Sequence, residues 1–479
     1  MTLLKFFKMN RIKLFFFIVI LTIIILLSLT AKNIKKNLES KSDQIEFLKK
    51  NLENKKKQIK NIHAKLNKKN IIVENLIFED GIKFKKKEDK NFKIKKNNFI
   101  LKEFKSNDII FAKHPDASSS AYLDYYDNKI FLVTATGQIS YSNFSNFSSD
   151  EFIFNNIKSN IRELIKYDEF YNSSQFGIKD ILIYKDQIYV SYIKEHYKNC
   201  YSTSILFGNL NNNLINFKEF YTPSSCINKN DVFFDSSKHD KLVVHQSGGR
   251  IIIVDNKLIF SIGEFRLRTH AQDSKNDFGK IISIDLANKE KKIISMGHRN
   301  PQGLYFSEDL NSFFSTEHGP NGGDEINLIK NELEDKEIQN FGWPISSYGR
   351  HYHDDNNDND ARYKLSPLNK SHSKFGFIEP LKYFDPSVGI SQIIGLDNEF
   401  INSNKHKFLV GTMGSAKKLK DGMLSLFYFE YDELSKKIIS SEFIPIKSRV
   451  RDLIYINDHN VSLMYLENNN SIGILKKID

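Results

Sequence analysis

The sequence predicts an all-β head of the propeller type, preceded by a membrane-spanning helix and a helical coiled-coil stalk. Three observations carry this. From about residue 108 onward, β-branched and aromatic runs of 5–8 residues alternate with Asn, Asp, Gly and Ser turns, and long amphipathic helical patterns are hard to find. A strand–turn–strand unit recurs along that region. Ahead of it lie an apolar run of about 18 residues and a seven-residue repeat.

The recurring unit is plain in the letters. Asp180–Tyr184 is followed by a polar turn and Gln187–Ser191, and Arg250–Val254 by Asp255-Asn256 and Lys257–Ser261. Gln302–Phe306 with Asn311–Ser315, and Arg451–Tyr455 with Asn460–Met464, repeat it, and Asn128–Val133 reads as the second half of another copy. Five or six hairpins at irregular intervals are the sequence form of propeller blades. A large β-sandwich is the alternative that the loose repeats leave open.

The apolar run is Leu14–Ala31, with Thr22, Ser28 and Thr30 as its polar members. Its length suits a helix crossing the hydrocarbon core. Lys5, Lys8, Arg11 and Lys13 precede it, which favours a cytoplasmic tail at 1–13 and an anchor at 14–31. A cleaved signal peptide is the rival reading, disfavoured by the long apolar stretch and by Leu29 at the usual −3 place. Over 32–78, Leu38, Ile45, Leu52, Ile59, Leu66 and Val73 recur every seven residues. Ile34, Leu48, Ile62 and Leu76 alternate with Lys41, Lys55 and Lys69 at the second seam position. This pattern favours a coiled coil able to join protomers, with a single charged helix as the alternative. Residues 79–107 read as a Lys-rich linker.

The formal net charge is +12, but it is unevenly spread. Residues 1–113 hold 28 basic and 11 acidic side chains, and the remainder 42 basic and 47 acidic. The head is mildly acidic, so a nucleic-acid partner is not expected. Only Cys200 and Cys226 are present, which excludes a four-cysteine zinc site. They are compatible with one bridge or with two separate buried thiols.

Chemistry concentrates between Gly297 and Gly349: Gly297-His-Arg-Asn-Pro-Gln-Gly303, Thr316-Glu-His-Gly-Pro-Asn-Gly-Gly-Asp-Glu-Ile-Asn327, and Asn340-Phe-Gly-Trp-Pro344. Tight Gly-Pro and Gly-Gly turns can aim carbonyl oxygens at one point, and carbonyls with carboxylates suit a hard cation such as calcium. Arg299 beside Asn300 offers donors to a planar carboxylate-bearing ligand. Arg449 and Arg451 alternate on a strand and so point to one face.

These strings resemble the glucose/sorbosone dehydrogenase family, which includes soluble quinoprotein glucose dehydrogenases and bacterial aldose sugar dehydrogenases, and the resemblance runs from Tyr122 to Asp479. It implies a six-bladed propeller over 108–479 with pyrroloquinoline quinone (PQQ) and calcium in a central cleft. It further implies oxidation of a sugar's anomeric hydroxyl to a lactone, with electrons passing to an external acceptor. By matched position, His245 is the general base, and Arg299, Asn300, Arg449 and Arg451 hold PQQ. Gly319 and Pro320 supply carbonyls to the cofactor's calcium. Glu325 and the Phe341 carbonyl belong to a second calcium site, and Asp354, Asp355, Asp358 and Asp360 are further candidate ligands. Two positions depart from the pattern. Gly414 stands where a cofactor-contacting lysine is expected, with Lys417 and Lys418 nearby, and Thr134-Ala-Thr-Gly137 replaces a Thr-Glu-Arg. The implied setting is the periplasmic side of a bacterial inner membrane. A non-catalytic propeller and a calcium-dependent lactonase-type hydrolase are the competing functions.

Overall fold

The computed structural model describes residues 81–108, 120–211, 213–228, 243–331, 337–351, 364–401, 403–414 and 420–478, with helical residues 19, 22–36, 38, 41–55 and 58 ahead of them. The chain divides into two compact units, Met1–Asn75 and Leu76–Asp479.

In the first unit, Leu38, Ile45 and Leu52 lie on helix with their side chains more than half exposed. Ile59, Ile62, Leu66, Val73 and Leu76 lie outside the described residues. So do residues 14–18, 20 and 21 of the expected anchor. Among the described residues, no helix is long and apolar enough to cross a membrane.

The second unit contains six groups of four antiparallel strands, the last and first of which are joined into one larger sheet. The first spans Ala121–Tyr126, Lys129–Thr134, Ile139–Asn143 and Glu151–Ser159. The second spans Ile178–Tyr184, Gln187–Tyr197, Cys200–Asn209 and Lys218–Tyr221, and the third Gly248–Val254, Lys257–Ile262, Lys280–Asp285 and Lys291–Met296. The fourth comprises Pro301–Ser307, Ser312–Glu317, Asp324–Lys330 and Lys382–Phe384, and the fifth Ile390–Leu396, His406–Thr412, Ser425–Asp432 and Lys437–Pro445. The sixth joins Val450–Ile456, Val461–Leu466 and Ser471–Ile478 to Asn97–Lys105 from the start of the unit. The first strand of each sheet abuts that of the next, and the sixth returns to the first. The arrangement is a propeller-like ring, and the sheets are hereafter blades 1 to 6.

Two-residue turns make the recurring hairpins. Asp127-Asn128, Lys185-Asp186 and Asp255-Asn256 all have positive φ, between 48° and 59°, the mirror-image turn whose twist matches that of paired strands. Asn and Asp tolerate that conformation best among residues with side chains.

The expected linker at 79–107 is corrected. It forms strands Ile82–Lys86, Lys90–Ile94 and Asn97–Lys105. Ile82 and Phe84 turn inward on either side of exposed Lys83, and Phe99 and Leu101 on either side of half-buried Ile100. The lysine content hid a period of two. Ile82–Lys86 pairs with blade 6 on one side and blade 1 on the other, so it sews the ring's two ends together.

Neighbouring blades are clasped by side chains on their inner strands. Leu123 N–H donates to Asp452 at 2.7 Å, Ile183 N–H to Asp124 at 2.5 Å, and Ile251 N–H to Asp180 at 2.9 Å. Leu304 N–H donates to Gln392 at 2.9 Å. At the centre, the Arg250 guanidinium donates from NH1 to Asp180 at 3.0 Å and Asp452 at 2.6 Å. It also reaches the carbonyls of Gln302 and Arg451, at 2.7 and 3.0 Å, and thereby ties blades 2, 3, 4 and 6.

Cys200 and Cys226 form a disulfide, which decides between the two readings of the pair. It fastens Ile227-Asn228 beside the start of Cys200–Asn209.

Two outcomes follow from this architecture. A chain starting at Gly81 should fold, whereas one starting at Asp108 lacks the outer strand of blade 6 and should lose cooperative melting in circular dichroism. Arg250→Ala leaves two buried carboxylates without their partner and should lower unfolding free energy by about 3–5 kcal/mol in urea titrations.

Candidate cofactor-binding and active site

Arg449 and Arg451 flank Val450, whose side chain turns into the core, so both guanidiniums share the opposite face. They grip one buried carboxylate: Arg449 Nε donates to Glu467 Oε2 at 2.9 Å and Arg451 Nε to Glu467 Oε1 at 2.8 Å. Two cations against one anion leave one positive charge uncompensated at this place. Arg449 NH1 also donates to the Gly414 carbonyl, so backbone stands where a lysine is expected. Lys417 and Lys418 lie outside the described residues.

From this pair polar contacts run toward His245. Arg451 NH1 donates to Gln302 Oε1 at 3.4 Å, Gln302 Nε2 to Asn300 Oδ1 at 3.0 Å, and Gly248 N–H to that same oxygen at 3.1 Å. With the Gln246 amide turned to satisfy its neighbours, Arg299, the residue before Asn300, donates from NH2 to the amide oxygen, and the amide nitrogen donates to Glu264, each at 2.7 Å. His245, beside Gln246, presents Nε2 to the Gln175 amide nitrogen and Nδ1 to Arg266 NH2, 3.1 Å away, so each ring nitrogen faces a donor group.

The expected PQQ ligands and base are thus brought together. Sequence reasoning missed Glu467, Gln302, Gln246, Gln175 and Arg266, which link them. It also missed Lys179, whose Nζ donates to the carbonyls of Ser174 and Gln175 at 3.1 and 2.7 Å. Burial pushes that ammonium down to about 7, with help from Arg451.

The Gly-Pro loop lies on the other side of Arg299. A Cβ on Gly319 would meet the Gly323 carbonyl oxygen at 2.1 Å, so only glycine permits this fold-back. Asp324 clamps it, accepting Gly319 N–H at 3.1 Å on one oxygen and the amides of Val388, Gly389 and Ile390 on the other. The Gly319 carbonyl accepts Arg299 NH1 at 2.6 Å, and the Pro320 carbonyl accepts only a long bond from Ser387 at 3.4 Å. Each keeps a lone pair, so both fit a calcium ion as carbonyl donors.

Beside this loop is a small cavity of about 10 Å³, lined among others by Arg299, Glu317, Glu325, Phe341, Trp343 and His372. The Trp343 ring lies 5.4 Å from the Arg299 guanidinium and 5.3 Å from that of Arg268. Glu317 and Glu325 are cross-strand partners, both buried. Glu317 accepts Arg299 N–H at 2.7 Å and faces His298 Nδ1 at 3.1 Å. Burial opposes its charge, but His298 outweighs this and holds the carboxyl below its usual range. Burial, with Glu317 adding to it, pushes the Glu325 carboxyl up.

The residues expected at the second calcium site, Glu325 and Phe341, both line this cavity. His372 donates from Nδ1 to the Phe341 carbonyl at 2.9 Å, and its Nε2 stands 3.4 Å from Glu325. Among the described residues no group of three or more His, Cys, Asp or Glu side chains is placed to hold a metal. Asp354, Asp355, Asp358 and Asp360 lie outside them.

A model of the Glucose / Sorbosone dehydrogenase family matches residues 152–476. The chain belongs to that family. An aldose sugar dehydrogenase of Escherichia coli is 26% identical over 259 residues, covering 50% of this chain and 62% of that protein. Quinoprotein glucose dehydrogenase B of Acinetobacter calcoaceticus is 29% identical over 130 residues, 21% of this chain and 26% of its own length. An uncharacterised protein of Synechocystis is 29% identical over 223 residues, 44% of this chain and 48% of that one. The chain therefore spans from a quarter to under two thirds of these relatives. Among solved structures, a glucose dehydrogenase superposes with TM-score 0.56 at 19% identity, over 76% of this chain and 97% of its own. The apo form of the E. coli soluble aldose sugar dehydrogenase gives 0.52 at 18%, over 76% and 96%. At such identities the likeness is one of fold, and it agrees with the propeller ring.

Because Glu467 is the shared anion of two buried cations, Glu467→Ala should cost about 3–5 kcal/mol of stability by urea titration, far more than an exposed carboxylate would.

Proposed function

We propose that the chain is a PQQ- and calcium-dependent aldose dehydrogenase that oxidises the anomeric hydroxyl of a sugar to the lactone. The observation that best supports this is the clustering of Arg449, Glu467 and Arg451 with Gln302 and Asn300, and of Arg299 with Gln246 next to His245, in a protein of this family.

When bound, PQQ supplies the hydride acceptor, and its calcium ion supplies Lewis acidity to it. Arg299, Asn300, Arg449 and Arg451 hold the cofactor's carboxylates, for which paired guanidiniums are suited. Gly319 and Pro320 offer carbonyl oxygens to the calcium. His245 takes the proton of the anomeric hydroxyl as hydride leaves the same carbon. Both ring nitrogens face donor groups, Gln175 and Arg266, which a sugar hydroxyl would displace at whichever nitrogen takes the proton. Gln175, held from behind by Lys179, steers the ring through Nε2. Both cysteines are used in the bridge, so covalent haem attachment is not available and electrons leave to an external acceptor.

We further propose that residues 14–31 anchor the chain in a bacterial inner membrane, with residues 1–13 cytoplasmic, the 32–78 stalk periplasmic and able to pair protomers, and the head periplasmic. The Cys200–Cys226 bridge agrees with an oxidising compartment.

Purified protein given PQQ and calcium should reduce an artificial electron acceptor with at least one aldose. His245→Ala should lower the rate by about 10²–10⁴-fold, the usual worth of a positioned base. Replacing Arg449 or Arg451 by Ala should raise the PQQ concentration needed for half activation. Quinone binding without turnover on any aldose would favour a non-catalytic binding module, and quinone-free lactone hydrolysis a hydrolase. Undiminished turnover in His245→Ala would remove the base assignment alone.

A further inference from the structure

We infer that the Lys179 ammonium is a further ligand of the bound cofactor, offered to its carboxylates by blade 2 as Arg449 and Arg451 are by blade 6. The inference rests on the proposed reading of this face as a quinone site, and adds to it a cation that no motif marks.

Lys179 stands on the inner strand of blade 2, beside Asp180, whose carboxylate is fixed by Arg250 at 3.0 Å and by the Ile251 amide at 2.9 Å. Its stem runs against the turn that follows His245. A Cβ on Gly249, at φ +125°, would meet Lys179 Cβ at 2.3 Å and Cγ at 2.9 Å, so only glycine leaves room for the stem. The neighbouring Gly248 N–H donates to Asn300 at 3.1 Å. On the other side, Gln175, whose carbonyl takes the ammonium, is the residue that faces His245 Nε2. Lys179 is thus set between the base and the asparagine assigned to the cofactor.

An ammonium has three donors, and Lys179 spends two, on the carbonyls of Ser174 at 3.1 Å and Gln175 at 2.7 Å. Among the described residues no carboxylate pairs with it. Burial first, and Arg451 after it, disfavour its charge, while Glu467 favours it. Glu467, however, is gripped by both arginines through their Nε atoms. A cation drawn out of water without a counter-ion is costly, and a carboxylate brought by a ligand removes that cost. Lys280 in blade 3 shows the contrasting, purely structural case. It is fully buried, and its three donors meet the carbonyls of His270, Ala271 and Phe278 at 2.8, 3.0 and 2.7 Å. Lys179 is only half-buried and keeps one donor unspent. Two guanidiniums and an ammonium around Glu467 suit a ligand with several carboxylates, which PQQ is.

The test is PQQ binding by full-length protein in the presence of calcium, read without turnover from Trp343 fluorescence, with thermal melting alongside. Lys179→Met keeps the stem and removes the charge, and should raise the PQQ concentration for half saturation by about 10–100-fold. Lys179→Arg, which restores the charge, should bring that concentration back toward the wild-type value. Half saturation unchanged in Lys179→Met, with or without a lowered melting point, is the mark of a structural lysine and would overturn the inference while leaving the quinone reading intact. Failure of wild-type protein to bind PQQ would overturn both. If Lys179→Met does not fold, wild-type protein gives the answer by brief acetylation at neutral pH and peptide mass spectrometry. The depressed pKa leaves part of Lys179 as the free amine that acetic anhydride attacks. Lys179 should be labelled in quinone-free protein and spared once PQQ and calcium are added. Equal labelling in both states, or none in either, would also overturn the inference.

Discussion

The guanidinium of Arg250 is the constraint on which the rest of the head depends. A ring of sheets has no core of its own at the axis, and the inner strands need something that speaks to several of them at once. Arg250 has five donors in a rigid fork and uses them on two carboxylates and two carbonyls from three other blades. Desolvating a charge is costly, and the cost is offset here because Asp180 and Asp452 lie on either side. The same two carboxylates also accept the Ile251 and Leu123 amides of the neighbouring blades. Positioning of Arg451 follows directly, since it precedes Asp452 on the strand and its carbonyl is one of the acceptors of Arg250.

The structure handles charge in the site by the same rule. Glu467 is met by Arg449 and Arg451, Glu317 by His298, Glu325 by His372, and Asp324 by backbone amides. The arginine pair brings two positive charges to one carboxylate, in keeping with an anionic ligand at that end of the site. The two places that the family resemblance marks for calcium differ physically. The Gly319 and Pro320 carbonyls retain free lone pairs, whereas Phe341 and Glu325 line a cavity together with His372.

Much of this was legible in the letters. The hairpin units were readable because the mirror-image turns demand Asn, Asp or Lys-Asp pairs between two apolar runs, as at Asp127-Asn128 and Asp255-Asn256. The closing strand at Asn97–Lys105 was not, because its outward lysines swamp an alternation of only four inward residues. Its partner, Ser471–Ile478, lies at the far end of the chain, and no local pattern announces a pairing over that distance. In the site, motif position pointed to Arg299, Asn300, Arg449, Arg451 and His245, and the structure places Asn300, Arg449 and Arg451 in polar contacts that include Gln302 and Glu467. Gln302 stands inside the Gly297–Gly303 motif but carries no charge to single it out, and Glu467 follows an ordinary apolar strand.

Trp343 offers the most direct view of the cofactor. It is the chain's only tryptophan, and its ring lies 5.4 Å from the Arg299 guanidinium. Its fluorescence should be quenched saturably as PQQ is titrated in the presence of calcium, reaching a plateau at one equivalent per chain. The plateau should move to much higher PQQ when Arg449 and Arg451 are both replaced by alanine. Emission that ignores PQQ, or quenching indifferent to those two arginines, would contradict the assignment of this face of the ring to the quinone.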